Sequence, residues 1–269
     1  MRMTTIAKHH LVLVYTLFLI FAGAISPAAA DNATAVNYYI KEGQKAQSDK
    51  QFEKAKALYL KAFAGGKGNM HAAYLLGLMA EEGQTASGKS DFKEAKSWYL
   101  QAAKGKDADA ACALAGVLDY EDNSKKPNSE AIGWLTKAAD WGSLDAQRKL
   151  GTLYSHGKNE LDNPALCFKY RSMAADRGDT RNCFKVGMLL MKGHGTKRDV
   201  PKAIGYFKKS SETTPEACLQ LYKIYKKGDV GVPADEKEAK RWQMAALDLS
   251  RKTREDDQSI LESIGRRSK

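Results

Sequence analysis

The sequence predicts an all-α fold: a right-handed α-solenoid of about six helix–turn–helix repeats with a period near 36 residues. Three observations predict it. Small residues recur at Ala55, Ala95, Ala131, Cys167, Ala203 and Ala239, at intervals of 40, 36, 36, 36 and 36. Three positions after each stands a large residue (Leu58, Trp98, Trp134, Tyr170, Tyr206, Trp242), and seven after each a small one (Ala62, Ala102, Ala138, Ala174, Ser210, Ala246). Such a small–large–small set lies on one helical face, where a neighbouring helix approaches the small residues and the large one fills the groove between them. The segment before each of these helices repeats too, placing Gly77, Gly116, Gly151, Gly187 and Tyr222 at intervals of 39, 35, 36 and 35.

The elements follow in order. Residues 1–30 read as a cleaved secretory signal peptide: Arg2 and Lys8 without acidic residues, the apolar run "LVLVYTLFLIFAGAI", then "SPAAA" with Ala28 and Ala30 in A-x-A spacing. The mature chain is then expected to begin at Asp31. The alternative is an uncleaved anchor, since a span needs roughly 20 apolar residues. The repeat solenoid is expected over 31–250. Its first unit, "VNYYIKEGQKAQSDKQFEKAKALYLKAF", reads as an atypical cap with Leu58 in place of the aromatic and no mid-helix glycine.

In the inner units the first helices are "AAYLLG", "ACALAG", "AQRKLG", "NCFKVG" and "ACLQLY". Gly83, Gly157, Gly193 and Gly228 are placed to stop four of them, because a glycine past the last helical residue takes the left-handed conformation cheaply. Pro127, Pro164, Pro201 and Pro233 fall shortly before the second helices, where proline suits a helix start. Residues 251–269 form a C-terminal capping helix or a basic tail, with Ile260, Leu261 and Ile264 on one face. A single pair cannot bury its own apolar face, so the stack is expected to form one continuous core.

"LGTLYSHG" followed by "YRSMAADRG", and "YKKGDVGVPADEKEAKRWQMAA", resemble Sel-one-like repeats, glycine-rich relatives of tetratricopeptide repeats. The resemblance covers nearly all of the chain after the leader. "LDYEDNSKKPN", which lacks the turn glycine, and Tyr222 depart from the pattern. The resemblance implies a protein-binding scaffold of the kind bacteria export, with first helices lining a concave face, and no shared reaction. Some members resemble immunity proteins to secreted phospholipases; others serve envelope signalling.

Chemistry is sparse. After the leader only His71, His156 and His194 remain among the histidines, none with a His or Cys at metal-ligand spacing. There is no C-x-x-C, H-E-x-x-H or G-x-S-x-G, and "GGKGNM" lacks phosphate-loop spacing and reads as a turn. No catalytic residue, metal or cofactor is expected. Cys112, Cys183 and Cys218 occupy equivalent sites four residues before the mid-helix position, and Cys167 takes a small-residue slot. Neighbouring helices stand about 8–10 Å apart, too far for equivalent positions to meet the roughly 5.5 Å Cα spacing of a disulfide. All four read as small buried residues, although an oxidising compartment leaves three connectivities open. A cysteine-rich branch of the family with regularly paired cysteines is linked to penicillin binding or β-lactam hydrolysis. A cell-wall or β-lactam hydrolase is therefore the alternative function.

The remaining candidate is a surface. At 100° per residue, positions −2, +1 and +5 about the mid-helix residue lie opposite the core side of each first helix. They select Leu75, Leu78, Leu114 and Val117 in the N-terminal half, and Lys149, His156, Lys185, Met188, Lys192, Lys223 and Lys227 in the C-terminal half. The expectation is an apolar groove that becomes basic. Residues 1–30 hold two of the 43 basic residues and none of the 32 acidic ones, so the remainder carries +9. In an exported protein this favours an acidic protein partner, or an anionic envelope surface, over nucleic acid. The expected protein is non-enzymatic, periplasmic or secreted, not membrane-spanning once cleaved, and acts as an inhibitor, immunity protein or envelope-signalling adaptor.

Overall fold

The computed structural model describes the backbone of residues 27–65, 69–85, 87–122, 128–155 and 161–266, and side chains within these from residue 32 to 252. Of the expected leader, residues 1–26 lie outside the described residues; the last four open the first helix. Among the described residues there are twelve α-helices and no strand beyond the isolated bridge Asp229–Val232. The chain forms two compact units, residues 1–131 and 132–269.

The first unit holds α1 (Pro27–Ser48), α2 (Phe52–Ala64), α3 (Met70–Glu81), α4 (Phe92–Lys104) and α5 (Ala108–Glu121). α1 packs on α2 and α3 on α4, while α2–α3 and α4–α5 contacts join successive pairs. The small residues that announce the second helices, Ala55, Ala62, Ala95 and Ala102, are all fully buried. The ring that fills the groove beside them stands one residue later than the sequence analysis placed it. Tyr59 and Tyr99, four positions after Ala55 and Ala95, are wholly buried, whereas Leu58 and Trp98 are half-buried. Tyr99 lies so close on Gly77 that a methyl carbon there would stand 2.5 Å from the ring. Tyr59 lies on Gly43 in the same way. The first repeat therefore does have its mid-helix glycine, contrary to expectation, with a buried ring against it. Each phenol also finds an acceptor, Tyr59 donating to Gln47 Oε1 at 2.7 Å and Tyr99 to Glu81 Oε2 at 2.5 Å. Burial pushes the Tyr59 phenol up to about 12.

The second unit takes in α6 (Ser129–Asp140) from Ile132 onward, then α7 (Leu144–Leu153), α8 (Pro164–Asp176), α9 (Thr180–Lys192), α10 (Val200–Ser210), α11 (Pro215–Lys227) and α12 (Glu236–Arg266). α7 pairs with α8, α9 with α10 and α11 with α12. Its core gathers Cys183, Val186, Leu190, Val200, Ala203, Phe207, Leu221 and Ile224, with Trp242 half-buried against it. Phe207 is wholly buried against Gly187, repeating the Tyr99–Gly77 contact. Gly193 ends α9 at φ 67°, in the left-handed conformation expected of it. Gly157 and Pro127 lie outside the described residues. α12 continues unbroken beyond 250 to Arg266; the side chains of Ile260, Leu261 and Ile264 lie outside the described ones.

Helix starts are set by side-chain caps on the same period. Asn69, Asp107, Ser143 and Asp179 each accept from the backbone N–H three residues on, at the starts of α3, α5, α7 and α9. Asp91, Asn163 and Asp199 do so at the starts of α4, α8 and α10, and Asp235 accepts from Glu238 N–H at the start of α12. Each such cap contributes about 1 kcal/mol by satisfying an orphan N–H of the first turn.

Candidate partner-binding surface

In the second unit, α7, α9 and α11 turn one side to the core through Leu150, Val186, Leu190, Leu221 and Ile224. The positions opposite carry Lys149, Lys192, Lys223 and Lys227, all exposed, and Lys185 and Met188, both half-buried. Met188 packs against the core and offers only part of its surface. His156 lies outside the described residues.

None of the five lysines takes part in an ion pair or hydrogen bond among the described residues, whereas many of the unit's carboxylates are engaged elsewhere. Asp140 faces Lys169, Asp145 and Asp179 face Arg148, Asp229 faces Arg198, and Glu236 faces Lys226. The charge is correspondingly uneven. Residues 132–269 hold 27 basic against 18 acidic residues, and residues 1–131 hold 16 against 14, so +9 of the total +11 belongs to the second unit. Burial, with the nearby charges of Arg171 and Arg181, pushes the Lys185 ammonium below its ordinary pKa. Cations without an ion-pair partner among the described residues, carried on successive first helices, form an array whose potential attracts anions.

The aliphatic half requires correction. Leu114 and Val117 are each 1% exposed and Leu75 is 9% exposed, so they are core residues and not a docking surface. Leu78 is half-buried against the cluster of Tyr59, Leu75, Leu76 and Met79. The reason lies in the composition of these helices. α3 buries Ala72, Ala73, Leu75, Leu76, Met79 and Ala80, and α5 buries residues from Ala110 through Leu118 on several sides. A helix apolar nearly all round is buried all round, and α3 and α5 also touch one another. The two-sided division used for the sequence holds for the polar first helices of the second unit only.

All four cysteines are buried, in keeping with small core residues. The Sγ of Cys167, Cys183 and Cys218 each lie against a backbone carbonyl (Gly151, Ala175 and Ser211), and burial pushes the Cys183 and Cys218 thiols up, away from the reactive thiolate. Among the described residues no group of three His, Cys, Asp or Glu side chains is placed to hold a metal ion, and no helix is long and apolar enough to cross a membrane.

Sequence reasoning passed over Arg171, a buried arginine on α8 that stands in the slot where other second helices place Tyr59, Tyr99 and Phe207. A charge at that register position was the available signal; the ring slot had been assigned one residue too early to reveal it.

The Sel1 repeat model matches residues 28–67, 71–107, 108–143, 144–179, 183–212 and 215–242. Among solved structures, a Sel1 repeat protein from Oxalobacter formigenes superposes with TM-score 0.60 and 27% identity, covering 78% of this chain and 84% of that one. c5321, a protective antigen of uropathogenic Escherichia coli strains with an SLR fold, superposes with TM-score 0.52 and 25% identity, covering 76% of this chain and 44% of that one. DAP3-binding cell death enhancer 1 of Rattus norvegicus is 30% identical over 105 residues, 38% of this chain and only 20% of that protein. With six repeats matched over most of its length and the same paired-helix architecture, the chain belongs to the Sel1 repeat family.

Proposed function

We propose that the protein is a non-enzymatic binding scaffold whose second unit receives an acidic protein partner on the lysine-bearing sides of α7, α9 and α11. The observation that carries this reading is that, among the described residues, Lys149, Lys185, Lys192, Lys223 and Lys227 have no carboxylate partner, in the unit that holds +9 of the charge. Long side chains kept unpaired on one side of successive helices favour encounter with an acidic surface. The apolar run within residues 1–30 supports a site of action in the periplasm or outside the cell, where the scaffold would inhibit an enzyme or support an envelope sensor.

The test is a charge reversal. A partner captured from an envelope extract is bound to the wild type and to a triple variant, Lys185→Glu, Lys192→Glu and Lys223→Glu, at two salt concentrations. Exposed pairs contribute about 0–1 kcal/mol each, so the loss is expected chiefly in association rate, by about tenfold or more at low salt, and in salt sensitivity. Unchanged kinetics in a variant that keeps its helical content would remove this surface from the reading.

A further inference from the structure

Arg171 occupies a position built for an apolar side chain. Four residues after the small residue of the second helix, four of the other five repeats carry Tyr59, Tyr99, Leu135 and Phe207, and the last carries the exposed Gln243. The arginine stem does part of the ring's packing, since a methyl carbon on Gly151 would lie 2.8 Å from Arg171 Cγ. The residue is 5% exposed, yet among the described residues its guanidinium has only neutral partners. Nε donates to Cys167 Sγ at 3.3 Å and Nη1 donates to Asn182 Oδ1 at 3.1 Å, and no ion pair among the described residues includes it. Arginine does not shed its proton, so among the described residues this is a buried charge without a counter-charge, an expensive arrangement unless an anion completes it.

The surroundings point the same way. Arg171 lines a cleft of about 510 Å3 together with Arg148, Asp179, Arg181, Asn182 and Lys185. The one carboxylate among the lining residues, Asp179, is already engaged by Arg148 Nε and by the backbone N–H of Asn182. Lys185 and Arg181 enter no ion pair among the described residues. Three cations thus line a space whose one described carboxylate, Asp179, is already engaged.

We propose that this cleft binds the phosphate group of a small soluble molecule, held by Arg171 and Lys185 with the exposed Arg181 beside them. A phosphate dianion matches several converging cations better than a carboxylate does, and a guanidinium fork grips its oxygens in pairs. The volume exceeds that of the anion and leaves room for the rest of the molecule. The proposal goes beyond the partner-binding reading and shares only Lys185 with it.

Inorganic phosphate is titrated into the protein at constant ionic strength with chloride as the reference, followed by calorimetry and by melting temperature. Saturable binding with a rise in melting temperature is expected. Arg171→Phe restores the kind of ring that Phe207 places on Gly187, and is expected to fold and lose that binding; Lys185→Gln is expected to weaken it by about tenfold or more. Should Arg171→Phe not fold, Lys185→Gln decides. No saturable response in the wild type, undiminished binding in a folded variant, or acetate binding as tightly as phosphate overturns the proposal. Vesicles containing phosphatidic acid form the second arm, with no binding expected. Vesicle binding that disappears in Arg171→Phe would move the phosphate to a lipid headgroup and overturn the soluble source. Lys192→Glu combined with Lys223→Glu should leave phosphate binding unchanged while slowing partner association, so the two readings fail separately.

Discussion

Replacing Gly187 with alanine would set a methyl carbon 2.5 Å from Phe207 Cε1, 2.7 Å from Cδ1 and 3.0 Å from Cζ. The ring cannot swing aside into solvent, because Phe207 is 0% exposed and shares its core with Val186, Leu190, Ala203 and Leu221. Overfilling a packed site costs about 1–3 kcal/mol, and a wholly buried ring argues for the upper part of that range. Alanine returns about 1 kcal/mol of helix propensity relative to glycine, which leaves a net loss of about 1–2 kcal/mol. Gly205, on the adjoining α10, is the control: it is exposed, and nothing lies within 4 Å of the methyl it would acquire. Gly205→Ala should therefore stabilise by about 0.5–1 kcal/mol. The two variants are compared by urea unfolding followed by circular dichroism. With a slope of about 1–3 kcal/mol per molar urea, their midpoints should separate by roughly 1 M, one below and one above the wild type. Midpoints that move in the same direction would refute the close ring-on-glycine packing.

Phe207→Ala should destabilise by about 3–5 kcal/mol, and Trp134→Ala by less, because Trp134 is half-buried with Lys137 Nζ 4.0 Å over its ring; equal midpoints would contradict the ring slot. Burial, with Asp176 beside it, pushes the Tyr206 phenol up to about 12, and burial does the same to Tyr59. The fold therefore favours their neutral forms, a contribution fully present below the unfolded value near 10 and lost as pH rises through 12, so melting temperature should fall over pH 10–12 and ultraviolet titration should show a late phenolate fraction. Burial raises the Asp179 carboxyl, but the Asn182 N–H and Arg148 outweigh it and hold the group below its ordinary range. Asp179→Ala should cost about 1–2 kcal/mol at neutral pH through loss of the cap, and this contribution should shrink as pH falls through the carboxyl's folded value, readable in melts of the two proteins from pH 7 to pH 3. The four thiols, 0–5% exposed, should react slowly with an aromatic disulfide reagent in the native protein and react in full in denaturant; fast native labelling would contradict their burial.

The repeat was legible because it is a pattern of sizes. Ala55, Ala95, Ala131, Cys167, Ala203 and Ala239 are all buried, and each marks a second helix. The large residue at position three is buried at Tyr170 and Tyr206, but at Leu58 and Trp98 the buried ring stands one residue later, because positions three and four after the small residue flank the same helical stripe, 60° to one side and 40° to the other. Conspicuous tryptophans at 98, 134 and 242 drew attention to the wider edge, while Tyr59, Tyr99 and Phe207 took the interior. Gly43 escaped notice because it lies 34 residues before Gly77, slightly off the period, and only the ring lying on it identifies its role. The lysines of α7, α9 and α11 were readable, since polar first helices have one wet side; the fate of Leu114 and Val117 depended on contacts between first helices, which no single-helix projection contains.

The caps carry a consequence for how such a chain tolerates change. Asp107, Ser143 and Asp179 recur every 36 residues, as do Asn163, Asp199 and Asp235, and each fixes where its own helix begins. Between Ala55 and Ala95 the interval is 40 residues, yet α3 and α4 still start at capped positions and still bring Gly77 against Tyr99. The four extra residues are taken up in the turns, and the phase is reset at the next Asp or Asn. An indexing mark in every unit means that slippage in one loop is corrected locally instead of accumulating down the array. Loops can lengthen, shorten and diverge while the helices behind them stay in step.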